Sequence, residues 1–237
     1  MVAEIIAAAL VAVSPTPTAT PAEQLTTPLR VVVYDVSTTE RVDDITESFG
    51  GGPGAVPPAS TLEGEEHGTV TVDVMAKFDD GVLGVKVIEQ WKVPPLPLHF
   101  TGAVAPDGTV EFALTTINAA TIELLPYFAT RFSPDGALAS GSHWSVNKVS
   151  GNTSVSTDYE VTAVGVDSVT IHKDTTIKEL GSETVDGTVE YDPALLVAIS
   201  GRLRVRRTDM FADGQTTHTI DLNFNRVSDT FQTPAKS

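Results

Sequence analysis

The 237-residue chain contains no cysteine. That removes disulfides, thiolate zinc sites, catalytic thiols and a lipid-modified N-terminal cysteine. Cations are scarce: 15 Lys and Arg stand against 31 Asp and Glu, a formal charge of -16. Nucleic acid and anionic membrane surfaces are therefore poor partners, because both are polyanions. There is no HExxH, no GxSxG, no Walker A and no GxGxxG leading into a helix, so no motif-borne catalytic or cofactor site is present. No cofactor and no metal are expected. Apolar residues still make up 41% of the chain, enough for a core in one β-rich domain or two small ones.

Long apolar runs are lacking too. Ile5–Val13 is too short to span a bilayer as a helix, so no transmembrane helix is expected. The run has the length of a signal-peptide apolar region, and Ala12-Val13-Ser14 and Thr20-Pro21-Ala22 are small-residue cleavage sites. The residues before it depart from that pattern, with Glu4 and no Lys or Arg. Ser14–Pro28 is rich in Pro and Thr and reads as a linker. Residues 1–24 thus read as a signal-like segment and 25–237 as a single β-rich domain, with possible halves at 25–130 and 131–237. The expected address is periplasmic or secreted. Acidity is concentrated early: residues 1–130 carry a net -12 and residues 131–237 a net -4.

What the chain does have is Asp-Gly, five times, at Asp80-Gly81, Asp107-Gly108, Asp135-Gly136, Asp186-Gly187 and Asp213-Gly214. This dipeptide suits tight turns between twisted strands. A two-residue loop at Asp80-Gly81 sets Phe78 against Leu83, Val74 against Val87, Val72 against Glu89 and Val70 against Trp91. The same construction at Asp213-Gly214 sets Leu203 against Phe224, Val205 against Leu222, Arg206 against Asp221 and Asp209 against His218. In both, apolar side chains fall on one face. Arg202, Arg204 and Arg206 then line the opposite face, which reads as a solvated outer surface with acidic cross-strand partners rather than an anion grip.

Further strands are expected at Leu29–Ser37, Leu96–Val104, Thr109–Leu114, Ser142–Val149, Ser154–Val164, Val169–Lys178, Thr188–Tyr191 and Ala194–Ser200. Val42–Glu66 has no periodicity and reads as a long loop. Asn118 caps a short helical segment carrying Ile122, Leu124, Leu125, Tyr127 and Phe128, with Pro126 stopping or kinking it. The fold class is all-β with minor α: a strongly curved antiparallel sheet or half-barrel of about eleven strands, closed by a short plug helix.

Four residues are candidates for chemistry. Arg207, Asp209 and His218 share one end of the second hairpin and would suit a polar head group or a general base. Glu89 lies on an otherwise apolar strand face, where it reads as a polar sheet rim or, if buried, needs a partner or a raised pKa. Leu124, Leu125, Phe128, Trp91 and Trp144 are ligand-lining candidates, the two tryptophans reading first as core. Glu63-Gly64-Glu65-Glu66-His67 would set Glu63 and His67 on one face if helical, but reads as a solvated acidic loop.

Leu124-Leu125-Pro126, Gly141-Ser142-His143-Trp144, Tyr159-Glu160-Val161-Thr162 and the run from Gly187 to Asp192 together resemble a loose group of uncharacterised exported bacterial β-rich proteins. In these a helical LLP segment precedes a GxxW strand start and long antiparallel strands. The layout is also similar to periplasmic lipoprotein-carrier folds, whose curved sheet holds acyl chains under a helical lid. That likeness implies an architecture and transfers no residue. The function expected is that of an exported, non-enzymatic β domain binding an apolar or amphipathic ligand, or an envelope partner, on its concave face. The alternatives are a hydrolase whose carboxylates and His assemble from distant strands, and a structural interaction module.

Overall fold

The computed structural model describes residues 27–46, 60–92, 96–112, 118–129, 132, 138–150, 153–178, 182–211 and 214–231. The signal-like segment 1–24 and Asp135-Gly136 lie outside these. Among the described residues, eleven strands form a single antiparallel sheet that does not close: β1 (Arg30–Thr46), β2 (Ser60–Lys77), β3 (Leu83–Trp91), β4 (Leu98–Val104), β5 (Val110–Phe112), β6 (His143–Ser150), β7 (Thr153–Val164), β8 (Val169–Lys178), β9 (Ser182–Asp192), β10 (Val197–Phe211) and β11 (Gly214–Asp229). Their spatial order is β5-β4-β3-β2-β1-β11-β10-β9-β8-β7-β6. Two meanders therefore meet at one seam, β1 against β11, and both halves of the chain belong to one sheet.

That order explains the helix. The chain leaves β5 at one edge and enters β6 at the other, so its connection must cross a face of the sheet. The apolar face is the one that gains from being covered. Helix α1 (Ala119–Leu124) and a 3-10 turn (Leu125–Phe128) lie on this crossing, with the Asn118 side chain accepting from the Ala120 N–H at 2.8 Å. Pro126 sits inside the 3-10 turn, where the α-helical hydrogen-bond pattern has already ended.

The apolar lining expected from alternation is present. Val72, Val74, Val85, Val87, Leu203, Val205, Leu222 and Phe224 are all buried. One row crosses eight strands: Trp91, Gly68, Val36, Phe224, Gly201, Val189, Ile171 and Val161. The two glycines in it are beds for aromatic rings. A Cβ on Gly68 would stand 2.6 Å from the Trp91 ring, and one on Gly201 2.3 Å from the Phe224 ring.

Both hairpins form, each two residues out of the expected register. Val74 faces Val85 rather than Val87, and Leu203 faces Leu222 rather than Phe224. In the first, Gly81 N–H donates to the Phe78 carbonyl at 2.9 Å and Phe78 N–H to the Val82 carbonyl at 2.9 Å. The loop thus has three residues, with Gly81 at φ +88°. A second irregularity between Val74 and Ala76 restores the parity. Asp107-Gly108 repeats the construction, with Gly108 at φ +87°. In the second hairpin pairing runs on to Phe211 opposite Gly214, so Gly214 belongs to the strand, not the loop. A slip of two leaves each side chain on its face, which is why the core survives it.

Three other expectations are corrected. Asp186-Gly187 is no turn: it lies inside β9, where Gly187 packs so closely on β10 that a Cβ would meet the Arg202 carbonyl oxygen at 2.1 Å. The loop expected over Val42–Glu66 is strand through Thr46 and again from Ser60. Here β1 is hydrogen-bonded to β2 on one side and β11 on the other, so the ladder sustains extended backbone without apolar alternation. Thr188–Tyr191 is the end of a longer strand starting at Ser182.

Candidate functional site

Glu89 is buried, not on a rim. Its side-chain oxygens accept from Trp91 Nε1 at 3.2 Å, from the Asn118 N–H at 3.2 Å and from the Thr121 hydroxyl. Burial pushes its carboxyl above the ordinary glutamate value, and the three donors only partly oppose this. The group therefore fastens the start of α1 to β3. Two residues beyond Thr121, Glu123 is ion-paired with Lys173 of β8, both side chains buried. Burial alone would lower the Lys173 ammonium, but the Glu123 carboxylate outweighs it and the net shift is upward.

These two contacts measure the curvature. β3 and β8 are six strand steps apart, about 29 Å across a flat sheet at roughly 4.8 Å per step. Yet Thr121 and Glu123, which reach them, are separated by only about 3 Å of helical rise. The sheet must curl round the helix for both contacts to be made.

The other sequence candidates divide. Arg207 Nε donates to Asp209 Oδ1 at 3.0 Å, and Arg207 lies opposite His218. Asp209 faces Thr216 instead of His218, a consequence of the two-residue slip. The His218 Nδ1 partner is Glu40 Oε1 of β1 at 3.1 Å, a residue the sequence reading had missed. Glu89 is remote from this group. Between β3 and β10 lie β2, β1 and β11, and Glu89 is level with Tyr34 of β1 while His218 is level with Val42. Arg207, Asp209, His218 and Glu89 therefore do not form one constellation. Glu63, Glu65 and His67 share a face through extended backbone of β2 rather than through a helix, with His67 Nε2 2.9 Å from Glu65 Oε1 in solvent.

The proposed lining residues form the core. Leu124, Leu125 and Phe128 are buried against the inner face, as is Trp91. Trp144, half-buried, stacks on Tyr159 at 5.1 Å and meets Phe132 edge-on at 5.7 Å. Phe132 also contacts Tyr127 and Tyr191 at 4.8 and 5.1 Å. The hydroxyls of Tyr127 and Tyr191 and the indole nitrogen of Trp144 are buried without a hydrogen-bond partner among the described residues. The chain's own helix thus fills the side of the sheet where a ligand was expected.

The opposite face is hollow instead, since a twisted sheet is saddle-shaped and concave on each face along a different diagonal. A depression of about 690 Å³ runs over β3, β2, β1 and β11, lined by Gln90, Thr69, His67, Asp35, Ser37 and Asn223 among others. A second of about 560 Å³ continues over β10, β9 and β8 past Arg202, Thr188 and Glu190. Asn223 and Asn225 line both.

A comparison with protein-family models and with curated proteins finds no match for this chain.

On the outer face, the rows flanking the trough are internally paired. Arg204 bridges to Asp221, Asp186 lies 3.5 Å from Nε2 of His172, a residue in the trough's own row, and the Ser145 hydroxyl donates to Asp158. The trough's centre differs: among the described residues Gln90, Asp35, Asn223, Asn225 and Arg202 have no side-chain partner. Sequence reading had placed Arg202 on this face but could not assemble the trough, which needs the order of seven strands.

Proposed function

We propose that this chain is a non-enzymatic binding domain of the cell envelope, exported to the periplasm or beyond, that holds its partner on the outer face of the sheet. One observation carries the reading. The inner face is occupied by α1, Leu125 and Phe128, whereas the trough centred on Asn223 and Asn225 keeps unpaired polar side chains facing solvent. The apolar run Ile5–Val13, of the length of a signal-peptide apolar region, supports the address. An apolar ligand on the concave face has less support, because its seat is taken by the protein's own side chains. The hydrolase reading has less support because Glu89 lies apart from Asp209 and His218.

The test is co-sedimentation with isolated bacterial cell envelopes. The wild-type domain is expected to pellet and an N223A/N225A variant to remain in the supernatant. Equal pelleting of the two would overturn the outer-face reading. Saturable binding of an anilinonaphthalene probe to the folded domain would return the ligand to the concave side.

A further inference from the structure

The geometry points to a neutral polysaccharide chain, lying across the strands, as the ligand of the outer trough; this ligand class rests on the outer-face reading above. The trough is long. It reaches from Gln90 on β3 to Thr170 on β8, six strand steps or about 29 Å, which suits an extended polymer rather than a compact metabolite. Its chemistry is that of hydroxyl recognition. Asn223, Asn225 and Gln90 each offer a carbonyl acceptor and an amide donor, and Ser37, Thr69 and Thr188 offer hydroxyls that do both. Sugar hydroxyls are donors and acceptors in the same way, so such a surface can satisfy them pairwise.

Charge decides against an ionic ligand. In a chain of net -16, the lining carries two carboxylates, Asp35 and Glu190, and two cations, Lys92 and Arg202. The acidity that elsewhere dominates the surface is balanced here. Neither a cationic nor an anionic polymer finds complementarity along the groove. An extended peptide would use the same amides, but peptides dock on sheets chiefly by adding a strand to an open edge. The trough lies on a face, with the backbone of its strands already paired on both sides.

The experiment is native affinity electrophoresis of the whole chain in gels holding dextran, laminarin or soluble chitin oligomers, with polyglutamate, polylysine and a neutral Gly/Ser peptide as comparison ligands. Retardation by at least one neutral glycan is expected, unchanged between about 0.05 and 0.5 M salt. The apparent Kd should rise about tenfold or more in N223A/N225A, which removes two amides that have no side-chain hydrogen-bond partner among the described residues. Unaltered far-UV circular dichroism and thermal melting of that variant keep the comparison valid. No retardation by any neutral glycan, retardation only by a charged polymer or by the peptide, or glycan binding that persists in N223A/N225A would each overturn the ligand class. If envelope pelleting still depends on Asn223 and Asn225 while no glycan binds, the ligand class alone fails. If pelleting ignores them, the outer-face reading fails with it.

Discussion

Glu123 on α1 and Lys173 on β8, fifty residues apart in sequence, form a buried ion pair that ties the crossing helix to the far limb of the sheet. Glu89 on β3 ties the same helix to the near limb through the Asn118 N–H and the Thr121 hydroxyl. The helix is a strut between two limbs, and its polar attachments fix the curl that its apolar side chains fill.

The strut predicts a specific coupling. Lys173→Met and Glu123→Leu should each cost about 3–5 kcal/mol, because each strands a buried charged partner. The joint variant K173M/E123L should cost clearly less than the sum, since no uncompensated charge remains. Urea unfolding of the four proteins measures this. Additive costs would mean the two side chains do not interact in solution.

Stability should also depend on pH in a shape set by two carboxyls. Glu89 in the folded protein holds its proton more tightly than in the unfolded chain, so its contribution is present below the ordinary value of 4.5 and is lost as pH rises through the raised value. Asp229 behaves oppositely. Burial raises it, but hydrogen bonds from Arg30 and the Phe231 N–H, with the charges of Arg30 and Arg226, hold it below 3.8. Its contribution is present above that value and is lost as pH falls through the depressed one. The maximum should lie on the acid side of neutrality. In Glu89→Gln the decline toward pH 7 should flatten, as read from denaturant midpoints between about pH 4 and 8.

The glycines that bed side chains should rank by what a methyl group meets. Gly187→Ala collides with the backbone carbonyl of Arg202 at 2.1 Å and should cost most, above about 3 kcal/mol. Gly201→Ala meets the Phe224 ring, which can shift, and should cost about 1–3 kcal/mol. Gly64→Ala meets nothing within 4 Å and should be stabilising by about 0.5 kcal/mol. Thermal melts give the order, and a harmless Gly187→Ala would contradict the close packing of β9 on β10.

Three buried tyrosines separate a made hydrogen bond from an unmade one. The Tyr34 hydroxyl donates to the Ala198 carbonyl at 3.1 Å, so Tyr34→Phe should cost about 1 kcal/mol. The hydroxyls of Tyr127 and Tyr191 have no partner among the described residues, so Tyr127→Phe and Tyr191→Phe should be neutral or stabilising by up to about 1 kcal/mol. A loss in either of those two would reveal an internal water bound at that hydroxyl.

The sequence was informative wherever physics is local. Alternation assigned Val74, Val87, Leu203 and Phe224 to the core, and a slip of two could not undo this because strand faces repeat with period two. Register itself was not legible, since it turns on how many residues a loop holds in the first hairpin and on which residues lie between the strands in the second. Glu89 stood out as a carboxylate on an apolar face, but its donors Asn118 and Thr121 come from some thirty residues further on. Lys173 carried the same signal and went unread: it continues the inward series Val169, Ile171 and is followed by Thr175, all buried. The outer trough was out of reach. Its lining is gathered by strand order, and no local pattern says that β1 lies beside β11.

That seam has a consequence for how the molecule is made. Arg30 and Asp229, joined by a two-pronged guanidinium–carboxylate contact across it, are separated by 199 residues. On a ribosome the first meander can assemble while the rest is still being synthesised, but β1 keeps an unpaired flank until β11 emerges. Such long-range closure is slow, and the waiting flank is open to strangers. A chaperone that shields extended segments would suit this topology.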